Sequence, residues 1–271
     1  MVAPEQRDAI EIAGRRQAWH SVGEGPKLVL VNGYAATGTD WDPELIAGLA
    51  RSFELICPDN RGVGDSDLGD GSELTIAGMA GDLNALLDAL DVDRAPVVGW
   101  SMGGFVAQRL AVDLPSRVEA LVLLSTDPGG PAAVRADPHI WARLTDHAGS
   151  PREQAARLIS VLFPPDAATE IDRAFGDVVA DARARLSLRA LRAQEAAMEA
   201  WHATDQPAAP SGVRALVACG DEDVVIPPAN SELLAARWPG SRVERFAGGG
   251  HGFMAQAPAR LAAAIESFLR E

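Results

Sequence analysis

Apolar residues along this chain fall into two kinds of run that take turns. Short blocks such as KLVLVNG (27–33), FELICPDN (53–60), APVVGW (95–100), VEALVLLS (118–125) and GVRALVACG (212–220) are almost continuously apolar, with Gly, Asn or Ser at or just past the end. Blocks of this length predict strands covered on both faces, as in a parallel sheet. Between them the apolar positions space out at three and four residues. Helices are predicted near 41–50, over 73–90, where Leu83, Leu86, Leu87 and Leu90 share one side, and over 103–112, 228–238 and 257–271. SRVERFAG (241–248) reads as another strand, and residues 8–12 and 15–21 as a hairpin around Ala13-Gly14. Strands alternating with helices predict an α/β fold: a mostly parallel sheet with helices on both faces.

The alternation stops from about 133 to 206. Segments 137–148, 151–163 and 184–202 read as helices, broken by Pro164-Pro165, and DQPAAPSG (205–212) reads as a return linker. The expected organisation is therefore a core in two parts, 1–132 and 207–271, with a helical insert over 133–206 at the C-terminal edge of the sheet.

Composition narrows the classes. With 271 residues, 47 % apolar and 23 % charged, the chain is long enough for one large core. A net charge of -14 without Lys/Arg clusters argues against a nucleic-acid surface and against binding to anionic membranes. No apolar run is long enough to span a bilayer, and MVAPEQRDAIEIAG has no signal-peptide core, so a cytoplasmic location is expected. Cys57 and Cys219 sit in strand blocks and are expected as buried thiols. Neither belongs to a Cys/His cluster, so no metal or cofactor is expected.

Candidate chemistry centres on Gly99-Trp100-Ser101-Met102-Gly103, at the join between a strand block and a helix. A parallel strand turning abruptly into a helix lifts the joining side chain above the sheet edge, beside unpaired helix N–H groups. Two glycines remove the Cβ atoms that would collide there. The G-x-S-x-G pattern in this context is a nucleophile elbow; the plainer reading is a Ser N-cap. A serine nucleophile needs a base and an orienting acid. Among His20, His139, His147, His202 and His251, the last lies in a glycine-rich loop after a strand and is the preferred base. CGDEDVVIPP supplies the acid: Asp223 is preferred, with Asp221 as a turn-capping rival, and Asp127 is a further possible acid position. The backbone N–H groups of Met102 and Tyr34 are the expected oxyanion donors. Tyr34, Trp100, Trp141, Trp201 and His202 are candidates for the substrate pocket.

Taken together, the segments resemble the α/β-hydrolase superfamily, and within it the esterase, lactonase, cofactor-free haloperoxidase-like and C–C bond hydrolase group. NGYAATGTDW resembles its oxyanion loop, with Asn32 where a His is more usual. DNRGVGDSD, GWSMGG, GDEDVVIP and GGGHGFMAQAP resemble its other motifs, in order. The resemblance implies an eight-stranded sheet, a helical cap after the sixth strand, and a Ser101–His251–Asp223 triad. It also implies a mainly architectural role for DNRGVGDS, which lacks the Lys-Ser/Thr ending of a phosphate loop. The implied activity is hydrolysis of a carboxylic ester or lactone on a small, neutral or moderately apolar substrate. Cleavage of a C–C bond in a vinylogous diketone and perhydrolysis are alternatives with the same triad. A binding protein on this fold is a further one, disfavoured by the complete triad.

Overall fold

The computed structural model describes residues 6–70 and 74–271. The first residues of the N-terminal segment, the end of the glycine-rich loop and the expected start of the helix at residue 73 lie outside these.

One eight-stranded sheet organises the chain. Strands β1 (Gln6–Ile12), β2 (Arg15–Val22), β3 (Lys27–Val31), β4 (Glu54–Pro58), β5 (Ala95–Trp100), β6 (Val118–Leu124), β7 (Arg214–Gly220) and β8 (Arg242–Phe246) lie in the order β1-β2-β4-β3-β5-β6-β7-β8. β1 pairs with β2, and β2 with β4, antiparallel; every other pairing is parallel. The β1–β2 turn is Ala13-Gly14, both at positive φ (49° and 73°), the backbone that continues the twist of a two-residue hairpin.

Alternation along the strands sorts side chains to two faces. Leu28 and Leu30 of β3 join Ala120, Val122 and Leu124 of β6 under helices α1 (Pro43–Leu49) and α10 (Pro258–Leu269). Val29 and Val31, with Leu121 and Leu123, pack on the other face against α2 (Ile76–Ala89) and α3 (Met102–Asp113). Each fully buried Leu or Val contributes about 1.5–3 kcal/mol relative to exposure, so both helical layers are bound by the sheet rather than by their own propensity. Cys57 and Cys219 are both buried as thiols.

Between β6 and β7 the chain runs through four helices, α4 (Pro138–Leu144), α5 (Pro151–Leu162), α6 (Pro165–Ala184) and α7 (Leu188–Ala203), which form the inserted cap. Here the sequence expectation needs correction. Pro164-Pro165 breaks α5, but Pro165 then opens α6 at its first position, where its fixed φ and missing N–H suit a helix start. α6 carries much exposed surface, including Phe175 and Val178, so its core-facing pattern is faint. The segment expected as one helix from 184 to 202 is helical only from Leu188: Ala184 ends α6, and the chain turns at 185–187. After β7 come α8 (Asn230–Arg237) and, just beyond β8, the single turn α9 (Phe253–Gln256).

Candidate active site

Ser101 joins β5 to α3 at φ 54° and ψ −121°, a region that non-glycine residues reach only under constraint. Three bonds hold it. Its N–H donates to Leu124 O (2.9 Å), its carbonyl accepts from Gly104 N (2.9 Å), and Thr126 Oγ1 donates to that same carbonyl (2.8 Å). The turn also requires bare backbone. A Cβ on Gly99 would stand 2.4 Å from Gly103 O, and one on Gly103 2.0 Å from Val31 O. Ser101 occupies the N-cap position of α3, yet its side chain makes no capping bond, so the hydroxyl is free of the structural duty that a Ser there usually performs. The residue is 8 % exposed: it opens into a cavity under the cap rather than to open solvent.

His251 stands in the loop between β8 and α9. Gly249 N donates to Phe246 O (3.0 Å), Gly250 N to Gln256 Oε1 (2.8 Å), and Gly252 N to Leu162 O of the cap (3.0 Å). Its Nδ1 lies 2.8 Å from Asp223 Oδ2. Asp223 Oδ1 meanwhile accepts from Val225 N (2.9 Å) and Ile226 N (2.8 Å), and both residues are buried. A carboxylate already holding two backbone donors is an acceptor, which assigns the proton of the imidazole to Nδ1 and leaves Nε2 as the basic nitrogen. Asp221 does other work: its Oδ1 takes the N–H of Gly248 (2.6 Å) and shapes the same loop.

The loop after β3 lies directly beside the elbow. A Cβ on Gly33 would sit 3.3 Å from Ser101 Cβ. Asn32, at the position where the family resemblance favours His, accepts Gly33 N at its Oδ1 (2.9 Å) and donates from Nδ2 to Thr37 O (2.7 Å), closing the loop on itself. Asp59 ties it to the next loop, accepting from Gly38 N (2.8 Å) and Asp65 N (2.9 Å). Burial holds the Asp59 carboxyl above its ordinary range. Tyr34 follows Gly33, and its hydroxyl donates to Glu195 Oε1 of α7 (2.6 Å). Burial, then the Glu195 carboxylate, push that phenol far above its usual pKa, so it stays neutral. Met102, the first residue of α3, is fully buried.

Ser101 shares a narrow cavity of about 30 Å³ with Tyr34, Phe105, Asp127, Trp141 and His202 among others. Ligand pockets run to about 300–1,000 Å³, so this cavity is small. A larger hollow of about 380 Å³, lined by Trp19, His20, Thr37 and Asp59 among others, lies across the loop and does not reach Ser101. Chemistry rather than size therefore marks the site.

Two expected pocket residues pack beside the site. Trp100 packs its ring against His251 (centroids 5.3 Å apart) and donates from Nε1 to His251 O (3.0 Å), so it braces the imidazole. Trp201 stacks on Phe105 at 5.3 Å and donates to Asp127 Oδ1 (3.4 Å). Asp127, the alternative acid position, pairs with His202 rather than His251. The sequence reading also passed over Gln194 and Glu195. Gln194 is fully buried, accepts Ala35 N (3.0 Å) and donates to Arg61 O (3.1 Å). A signal for it existed: it is the polar member of the buried α7 stripe formed by Leu191, Ala197, Met198 and Trp201.

The alpha/beta hydrolase fold family matches residues 26–258, most of the chain. This chain belongs to that family. Among relatives in the family, a putative carbamate hydrolase, RutD, of Caulobacter sp. K31 is 30 % identical, with 93 % of this chain and 95 % of that protein covered. A hydrolase from Pseudomonas aeruginosa PA01 of known structure is 30 % identical at a TM-score of 0.79, covering 97 % of this chain and 98 % of that one. A thermophilic esterase from Thermogutta terrifontis is 26 % identical at a TM-score of 0.76, with 98 % of each chain covered. In this fold the chain pairs a buried His251 with a buried Asp223, the arrangement of a serine-hydrolase type of enzyme. Among the described residues no cluster of His, Cys, Asp and Glu is arranged to hold a metal, and no helix is long and apolar enough to cross a membrane.

Proposed function

We propose that this protein hydrolyses a carboxylic ester or lactone of a small, neutral or moderately apolar molecule by acyl transfer through Ser101. His251 Nε2 removes the Ser101 proton as Oγ attacks the carbonyl carbon, and Asp223 holds the imidazole and stabilises the imidazolium. The negative charge on the former carbonyl oxygen is taken by the N–H groups of Met102 and Tyr34. As the tetrahedral intermediate collapses, His251 returns the proton to the departing alcohol. Water, deprotonated by His251, then attacks the acyl-serine and releases the acid. The observation that carries this reading is the strained Ser101 backbone, held by three hydrogen bonds with its hydroxyl not spent on capping, in a molecule that also buries the His251–Asp223 pair. Phe105, Leu144, Met198, Val225 and Ile226 in the cavity wall support an apolar acyl group.

The likeness to RutD favours a second reading, hydrolysis of a carbamate, which uses the same attack on a carbonyl. Turnover of 4-nitrophenyl butyrate and of a phenyl carbamate by the wild type and by Ser101→Ala tests both. Loss of at least about 10³-fold in the variant is expected, with the better substrate choosing between ester and carbamate. Unchanged turnover in Ser101→Ala would exclude acyl transfer at this serine.

A further inference from the structure

Beside the His251–Asp223 pair used in the proposed reaction, the described residues hold another buried carboxylate–imidazole pair. The second joins Asp127, just past the end of β6, to His202 near the end of α7: His202 Nε2 lies 2.9 Å from Asp127 Oδ2. Asp127 Oδ1 accepts from Gly129 N (2.8 Å) and from Trp201 Nε1 (3.4 Å). The carboxylate is thus an acceptor throughout, and Nε2 is the protonated nitrogen of the ring. In the neutral ring this leaves Nδ1 with a lone pair, and Nδ1 is buried without a hydrogen-bond partner. Both Asp127 and His202 line the cavity that holds Ser101. Phe105 meets the imidazole edge-on, with centroids 5.5 Å apart at 84°. Any ring of this size would pack against Phe105. Packing therefore gives no reason for a buried acceptor with nothing to accept from, and such atoms are uncommon in folded proteins.

We propose that His202, oriented by Asp127, binds substrate, its Nδ1 accepting a hydrogen bond from a hydroxyl group carried near the scissile carbonyl. The inference rests on the acyl-transfer reading at Ser101 and narrows it to hydroxyl-bearing esters or lactones. The pair joins the core to the cap, since Asp127 follows β6 and His202 belongs to α7.

The test compares esters that differ by one hydroxyl, followed by pH-stat titration. Ethyl butyrate is set against ethyl 2-hydroxybutyrate and ethyl 3-hydroxybutyrate, and propyl butyrate against 2-hydroxyethyl butyrate. The wild type is expected to favour at least one hydroxylated ester by about tenfold in kcat/KM, the scale of one buried hydrogen bond. His202→Phe keeps a ring of similar size and has no acceptor, so the ratio of hydroxylated to parent ester should fall to about one. Asp127→Asn, which loosens the ring, should lower the same ratio. A ratio unmoved in these variants would assign His202 to packing and overturn the proposal, as would a wild type with no hydroxyl preference. Ser101→Ala in the same assay separates the two readings. If it retains turnover, the acyl-transfer reading fails; if it loses turnover while the His202→Phe ratio holds, only the His202 assignment fails.

Discussion

Replacing Gly103 with Ala probes the elbow without touching a reacting atom. The backbone there is helical, so Ala should be favourable by about 1 kcal/mol on propensity alone. The new Cβ, however, would stand 2.0 Å from Val31 O and 2.6 Å from Asn32 O. Ordinary non-bonded contact is about 3.5–4.0 Å, and both obstacles are backbone atoms at the end of β3. Relief thus needs roughly 1–1.5 Å of movement between α3 and the loop after β3. Overpacking of this kind costs about 1–3 kcal/mol, and a backbone clash belongs at the upper end. Net of propensity, about 2 kcal/mol remains, or roughly 4–8 °C in Tm for a chain of this size. A shift near 1 Å between nucleophile and oxyanion donors is worth about 10²-fold in turnover. Gly81→Ala is the matched control: it lies on an exposed face of α2 with nothing within 4 Å of its added Cβ, and should gain up to about 1 kcal/mol with unchanged activity. Thermal unfolding and ester turnover on both variants decide the matter. A Gly103→Ala protein with wild-type Tm and wild-type rate would refute the crowding argument.

Two further outcomes follow from the buried carboxylates. Asp223→Asn keeps the side-chain shape but alters the group that receives His251 Nδ1, Val225 N and Ile226 N; kcat should fall by about 10³–10⁴ with little change in KM, measured by steady-state ester kinetics. Asp59 is held above its ordinary pKa by burial, so folding disfavours its charged form. The stability this group contributes is complete below the unfolded pKa of about 3.9 and is lost as pH rises through the higher folded value. Urea midpoints of the wild type and Asp59→Asn, compared from pH 4 to pH 7, should therefore shift in favour of the variant as pH rises. A shift in the opposite sense would show that the Gly38 and Asp65 hydrogen bonds to the carboxylate outweigh burial.

Much of the fold was legible because the strands around Ser101 are buried on both faces, so their apolar runs are continuous, and because glycines mark each sharp turn at their ends. The approach of His251 to Asp223 was legible through loop position, since each follows the end of a strand. α6 was not, because Pro165 reads locally as an interruption while in the chain it is a helix start, and because Phe175 and Val178 face outward. The places of Trp100 and Trp201 were also hidden. A Trp next to a nucleophile reads as pocket wall, and only the packed structure shows that its ring leans on His251. The Tyr34–Glu195–His147 contacts, at 2.6 Å each, join residues 161 and 48 positions apart with no local pattern to announce them.

Helix α7 ties the cap to the loops after β3 and β4. Gln194 binds Ala35 N and Arg61 O, while its neighbour Glu195 takes the Tyr34 hydroxyl. Any displacement of α7 would therefore also release Tyr34, Ala35 and Arg61, so the roof of the cavity and the shape of the loop at its floor depend on one helix.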